Sequence, residues 1–171
     1  MNKEISLIDN ICKGNLQKVK SLLQNGVNVN TKGGTYITGI GWAIINKNYK
    51  MIKLLMDFNA DLNIYISYKF MNRTTPLHLA IKYFYNLKII KYLLKFNINF
   101  NNLDSGFMTV LEVACLHNRL DLLPFLLNDE IKNNRYVLYN LLYNLSVLAK
   151  NNSKYNKVYK ILEEYIDGYI N

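Results

Sequence analysis

The chain has 171 residues, half of them hydrophobic, 19% charged, with a formal net charge of +9. That length and apolar content suit one domain with its own core. The opening MNKEISLIDN is too polar for a secretory leader, and no run approaches the about 18 apolar residues of a membrane span. Two cysteines without a partner motif, Cys12 and Cys115, fit free thiols in a reducing compartment and not a disulfide. A cytoplasmic location is therefore expected. The basic excess is uneven: residues 1–100 hold 14 Lys/Arg against 4 Asp/Glu, and the remainder 7 against 8. Asn, Lys, Ile and Tyr dominate the composition, as in A/T-rich genomes.

In chain order, the same two-part pattern recurs four times. A first half begins in LIDNICKGN at Leu7, then in TGIGWA (38–43), TPLHLA (75–80) and TVLEVA (109–114). The anchors Leu7, Ile40, Leu77 and Leu111 are spaced by 33, 37 and 34 residues. Second halves follow as NLQKVKSLLQNGVNVN (15–30), NYKMIKLLMDFNADLN (48–63), NLKIIKYLLKFNINFN (86–101) and RLDLLPFLLND (119–129). Within each, apolar residues fall at helical spacing, as at Leu16, Val19, Leu22 and Leu23. Gly26, Asn59, Asn97 and Asn128 stand where a left-handed residue would end the helix. Each unit therefore predicts a short helix, a tight turn, a longer helix and an extended connector. Beyond them, RYVLYNLLYNLSVLAKNN and SKYNKVYKILEEYIDGYI read as two amphipathic helices.

A period near 33 residues with a Thr-Pro-Leu-His signature resembles the ankyrin repeat. The third unit matches best, and NGVNVN and FNADLN approach the family's unit ending. The resemblance implies an all-α ankyrin-repeat solenoid of helix-turn-helix units joined by β-hairpin-like connectors, with a helical C-terminal cap. As a single domain over 1–171 it would comprise repeats at about 4–33, 34–67, 72–104 and 105–130, with capping helices over 135–170. An atypical last unit is what a solenoid needs to close its open face.

Thr75 is placed to cap a helix and Pro76 to occupy its first position. Ala43, Ala80 and Ala114 allow close helix pairing. His78 invites a chemical reading, but the equivalent positions are Gly41 and Glu112, and no second ligand lies within three or four residues. The resemblance gives it a structural role, hydrogen-bonded to the helix start and the adjoining connector. Cys115 and His117 lie two apart, on different faces of a helix, so they form no nucleophile–base pair. GGTYITGIG (33–41) lacks the lysine and spacing of a phosphate-binding loop. No catalytic residue, cofactor site or metal site is expected, and no enzyme.

The family binds partners through first helices and connector tips. Carried over residue by residue, this nominates Trp42, Ile45 and Asn46 in repeat two, Leu79, Lys82 and Tyr83 in repeat three, and Val113, Leu116 and His117 in repeat four. Trp42, Leu79 and Val113 share one position and should form a row, either surface or packed between units. The connector NIYISYKFMNRTT (63–75) is four residues longer than its counterparts. It brings Tyr65, Tyr68, Lys69, Phe70 and Arg73, which either project as a recognition tip or pack back. Phe84 and Tyr85 form a second, weaker aromatic candidate.

The functional expectation is a monomeric, non-enzymatic protein–protein interaction module acting as inhibitor, adaptor or effector. Its partner is a protein, an acidic one if the basic balance takes part, and no membrane is involved. Small ankyrin proteins of large DNA viruses and intracellular bacteria have this form, and host–virus interaction is the corresponding expectation. The alternative is binding to nucleic acid or an anionic surface through Lys32, Lys47, Lys69, Arg73 and Lys82, although many lysines lie in second helices. Family connectors are also hydroxylated at the asparagine matching Asn30, Asn63 and Asn101, which the resemblance implies for a chain in a eukaryotic cytosol.

Overall fold

The computed structural model describes residues 2–68, 71–83, 86–127, 135–151 and 153–170. It divides into two compact units, Met1–Thr109 and Val110–Asn171.

The first unit contains three helix pairs: α1 (Lys3–Cys12) with α2 (Leu16–Gln24), α3 (Gly39–Ile45) with α4 (Tyr49–Asp57), and α5 (Pro76–Tyr83) with α6 (Leu87–Leu93). First helices stack in the order α1, α3, α5, and α2 lies against α4. The anchors behave as their periodicity requires: Leu7, Ile40 and Leu77 are fully buried, as are Ala43 and Ala80.

The turns of repeats one and two are each built from a left-handed residue and an asparagine cap, and an asparagine also caps the second helix of repeat three. Gly14 (φ 74°) and Lys47 (φ 53°) reverse the chain. The next N–H, of Asn15 or Asn48, returns to the carbonyl of Asn10 or Ala43, closing a six-to-one loop that satisfies a helix-end acceptor. The side chains of Asn15, Asn48 and Asn86 then accept from N–H groups in the first turn of α2, α4 and α6. Such caps stabilise a helix by about 1 kcal/mol each.

At the far end of the second helices, Gly26 (φ 78°) and Asn59 (φ 60°) take the expected left-handed conformation. Asn97 does not. Helix α6 stops at Leu93 and unwinds through turns at Lys95 and Phe96, so no left-handed stop is needed at 97. The expected order of short helix then longer helix holds only in repeat two. Asn2 caps α1 early, giving it 10 residues against 9 in α2, and α6 has 7 against 8 in α5.

The connectors are laced by asparagine. Asn30 Oδ1 accepts from the Asp61 N–H at 2.8 Å, and Asn63 Oδ1 accepts from the Asn99 N–H at 2.8 Å while its Nδ2 donates to the Asn97 carbonyl. The paired Gly33 and Gly34, both at positive φ, form a connector turn. The long connector forms a hairpin, β1 (Ile66–Tyr68) and β2 (Met71–Thr74), with Ile66 opposite Thr74 and Tyr68 opposite Met71. Three residue steps on β2 face two on β1, so a bulge absorbs part of the added length. The hairpin is tied to the preceding connector by the Ser67 N–H on the Tyr36 carbonyl, 3.0 Å.

The second unit holds α7 (Val110–Leu116), a 3-10 turn (Leu120–Leu122), α8 (Leu123–Leu126), α9 (Arg135–Asn151) and α10 (Lys154–Ile170). Asn118 (φ 55°) and the Arg119 N–H on the Ala114 carbonyl repeat the same turn. The helix that follows is broken, because Arg119 supplies no cap and Pro124 has no N–H for the helical ladder. Helices α9 and α10 pack through Leu138, Leu141, Leu145, Val158 and Leu162, all buried. Asn128 lies outside the described residues.

Candidate partner-binding surface

His78 is fully buried. Its Nε2 lies 3.0 Å from the Met108 carbonyl, which can only accept, so Nε2 carries the proton. Nδ1, 2.7 Å from Thr75 Oγ1, accepts the hydroxyl proton, and that hydroxyl in turn receives the His78 N–H. Burial pushes the imidazole below its ordinary pKa and Lys82 adds to this, against the Met108 carbonyl and Asp104, which pull it up. A neutral ring locked at both nitrogens is a brace between helix start and connector, as the resemblance implied.

Asp104 completes the brace. Its Oδ1 accepts from the N–H groups of Gly106 (2.8 Å) and Met108 (3.1 Å), and Oδ2 accepts from Lys82 Nζ at 3.1 Å. The side chain is 1% exposed. Burial acts to raise its pKa, but the two N–H groups and the ammonium outweigh that and hold it below the usual carboxylate range. Lys82, nominated for partner contact, is thereby committed to an internal pair.

Met108 is gripped on both sides: its carbonyl accepts from His78 and from the Asp104 N–H, and its own N–H donates to Asp104. The residue before it, Phe107, is held at φ 59° with 81% of its surface exposed. A left-handed aromatic costs on the order of 1 kcal/mol. It persists here because the brace fixes its neighbour.

Phe107 stands two residues before Thr109. At the same offset before Thr38 and Thr75 stand Tyr36, 77% exposed, and Arg73, also exposed. Arg73 places its guanidinium 4.3 Å from the centre of the Tyr65 ring. The Tyr65 hydroxyl reaches Asn102 Oδ1 at 3.3 Å, and Lys32 Nζ donates to the Tyr65 carbonyl at 2.8 Å. Among the described residues no acidic side chain pairs with Arg73. Its planar fork is stacked in place with its N–H edge open.

The helical row expected from Trp42, Leu79 and Val113 is not a surface. Leu79 and Val113 are fully buried. Trp42 is half-buried, with its indole N–H enclosed and without a hydrogen-bond partner among the described residues. Beside it Ile45 is half-buried and Asn46 exposed, its Nδ2 3.4 Å from the Cys12 carbonyl. Tyr83 is 39% exposed on α5. In the second unit Leu116 and His117 are half-buried, His117 in the turn after α7. Tyr68 sits in β1, its side chain outside the described set, as are Lys69, Phe70, Phe84 and Tyr85 entirely. Tyr36 and Phe107 carry no signal in the helical repeat pattern. Aligning the connectors on their threonines, instead of the helices on their leucines, exposes both.

Cys115 is buried, and burial with the nearby Glu112 charge pushes its thiol up to about 12. No thiolate is available there for nucleophilic chemistry. Among the described residues, no group of three His, Cys, Asp or Glu side chains could hold a metal ion, and no helix is long and apolar enough to cross a membrane.

Comparison with known proteins agrees with the repeat geometry. The family described as "Ankyrin repeats (3 copies)" matches residues 7–104 and again 40–136. Alpha-latrotoxin-Lg1a of Latrodectus geometricus is 34% identical over 105 residues, 61% of this chain and 8% of the toxin. Two putative ankyrin repeat proteins of fowlpox virus are also similar. FPV222 is 36% identical over 77 residues (45% of this chain, 10% of that protein), and FPV031 is 31% identical over 121 residues (68% and 34%). The chain thus spans about a third or less of the length of each relative. Ankyrin repeats are in general protein–protein interaction modules without enzymatic activity. Four anchored units, a braced Thr-Pro-Leu-His junction and two overlapping family matches make one assignment: the chain belongs to the ankyrin-repeat family.

Proposed function

We propose that the chain captures a protein partner on its connector tips, acting as an inhibitor, adaptor or effector and not through chemistry of its own. The carrying observation is the row Tyr36, Arg73 and Phe107, three exposed side chains at one repeat position. Tyrosine, arginine and phenylalanine are the residue types enriched where binding energy concentrates. Here the scaffold already holds two of them. Arg73 lies over Tyr65, so its side chain loses little freedom on binding, and the grip on Met108 fixes the backbone that presents Phe107. The open edge of Arg73 suits a carboxylate in bidentate contact, which favours an acidic partner segment. Tyr65, Tyr68, Lys69 and Phe70 extend the same connector and belong to the proposed surface, with Ile45, Asn46 and Tyr83 as further candidates in the first unit and His117 as a separate candidate in the second. Monomeric, cytoplasmic operation, including a host–virus setting, is part of the same proposal.

The test is affinity capture from cytosol with wild type and with Tyr36→Ser/Arg73→Ala/Phe107→Ser. Loss of one hot-spot contact worth about 2 kcal/mol weakens binding about 30-fold. A partner lost from the triple variant supports the surface. A partner recovered equally by both rejects it.

A further inference from the structure

The second helices of the first unit carry a different surface. Helices α2, α4 and α6 contain Lys18, Lys20, Lys50, Lys53, Lys88 and Lys91, with Lys95 just beyond, and a single acidic residue, Asp57. All seven lysines are exposed. Among the described residues no ion pair engages Lys20, Lys50, Lys53, Lys88 or Lys95.

These lysines edge two grooves. One, of about 350 Å³, has Leu16 and Leu54 on its floor, with Lys20, Lys50 and Lys53 around them and Gln17 and the lone carboxylate Asp57 completing the lining. The other, of about 400 Å³, is floored by Leu87, Tyr49 and Tyr92 and edged by Lys88, Lys91 and Lys95. Their floors are half-buried apolar side chains. Tyr49 and Tyr92 meet edge to face at 5.5 Å, and Tyr92 meets Phe96 likewise at 5.2 Å. Lys88 Nζ, 5.0 Å from the Tyr49 ring centre, and Lys53 Nζ, 5.8 Å from it, join the two grooves.

We infer that this face docks an acidic amphipathic helix of a protein partner, apolar side chains entering the groove floors and Asp/Glu meeting the flanking lysines. Charge complementarity sets the sign of the occupant, and the shallow apolar floor between the lysines sets its kind. An amphipathic helix in a groove buries one apolar stripe and keeps its charged flanks at the rim. Single-stranded nucleic acid requires open aromatic faces for its bases, whereas Tyr49 is covered by two ammoniums and the edge contact with Tyr92. A lipid headgroup layer would meet the lysines but leave the floors between helices unfilled. This surface is separate from the connector row, so the protein has two docking faces.

A random-peptide display selection against the full chain tests it, with a 20-mer of deoxythymidine and phosphatidylserine-containing vesicles as competing probes. The expected consensus carries Asp/Glu beside apolar residues at i, i+3, i+4 and i+7. Its peptides should weaken at least about tenfold on Lys53→Glu/Lys88→Glu/Lys95→Glu, weaken with added salt, and be indifferent to Arg73→Ala. Circular dichroism checks that the reversal variant folds; if it does not, the corresponding triple Lys→Gln variant carries the comparison. No enriched consensus, a consensus without acidic residues or helical spacing, or equal binding to the lysine variant would overturn the inference. So would lysine-dependent binding of the oligonucleotide or the vesicles that displaces the selected peptides.

Discussion

Repeats two and three close the same junction, helix start against following connector, with opposite chemistry. In repeat three the imidazole of His78 spans the gap, bonded to Thr75 at one nitrogen and to Met108 at the other. In repeat two the equivalent residue is Gly41, and Ile66 of the following connector fills the space. A Cβ on Gly41 would lie 2.7 Å from Ile37 Cγ2 and 3.0 Å from Ile66 Cδ1. Thr38, equivalent to Thr75, is buried with its hydroxyl unpartnered among the described residues. One backbone arrangement is thus held by hydrogen bonds in one copy and by dispersion in the next. The signature motif is one way of closing the joint and is not a condition for the fold.

The largest effect should come from removing the polar brace. His78→Ala empties a fully buried site and strands the Thr75 hydroxyl, at a cost of about 2–4 kcal/mol in urea denaturation. Gly41→Ala should cost about 1–3 kcal/mol by overpacking. Adding Ile66→Val removes the nearer end of one clash, so a double-mutant cycle should show coupling of at least about 0.5 kcal/mol. Additive behaviour would mean that Ile66 does not occupy the histidine's place.

Acid should separate the two repeats next. His78 and Asp104 both have folded pKa values below their ordinary ones. A lowered folded pKa gives stability that is present above the unfolded value and is lost as pH falls through the folded one. The histidine contribution is therefore complete above about pH 6.5 and fades below it, and the aspartate contribution follows below about pH 4. Repeat two has glycine where His78 stands. Hydrogen exchange on lowering pH from 7 to 5 should expose α5 and residues 103–109 before α3, and His78→Gln should flatten that difference. Equal loss of protection in both repeats would show that the brace does not govern the response.

The sequence made the helix pairs and their anchors legible because burial of Leu7, Ile40 and Leu77 follows from period alone. It also placed the Thr75 cap, the Pro76 start and the His78 brace. What it missed depends on neighbours. Whether the row of Trp42, Leu79 and Val113 faced solvent or packed between units was left open by the sequence, and stacking of α3 on α5 buries Leu79. Lys82 on α5 looked available, but its partner Asp104 lies 22 residues away in the following connector. The apolar spacing of RLDLLPFLLND argued for a continuous helix, but Pro124 and the uncapped start break it. Phe107 carried no helical pattern at all, and only the fold shows the strain imposed on it.

That strain yields the smallest prediction, one of opposite sign in the two connectors. Phe107 and Tyr36 hold the same offset before a threonine, but only Phe107 has positive φ. Glycine costs unfolded-chain entropy of about 0.5–1 kcal/mol wherever it is introduced. At Tyr36 nothing offsets this, so Tyr36→Gly should lower stability by up to about 1 kcal/mol. At Phe107 the relief of an unfavourable left-handed conformation, about 1–2 kcal/mol, exceeds it. Phe107→Gly should therefore raise the midpoint of thermal unfolding slightly while weakening partner binding. On the proposed function, the cost to stability is offset by what the exposed ring contacts. If Phe107→Gly leaves partner capture unchanged, the exposed ring has no such role and the connector row contracts to Tyr36 and Arg73.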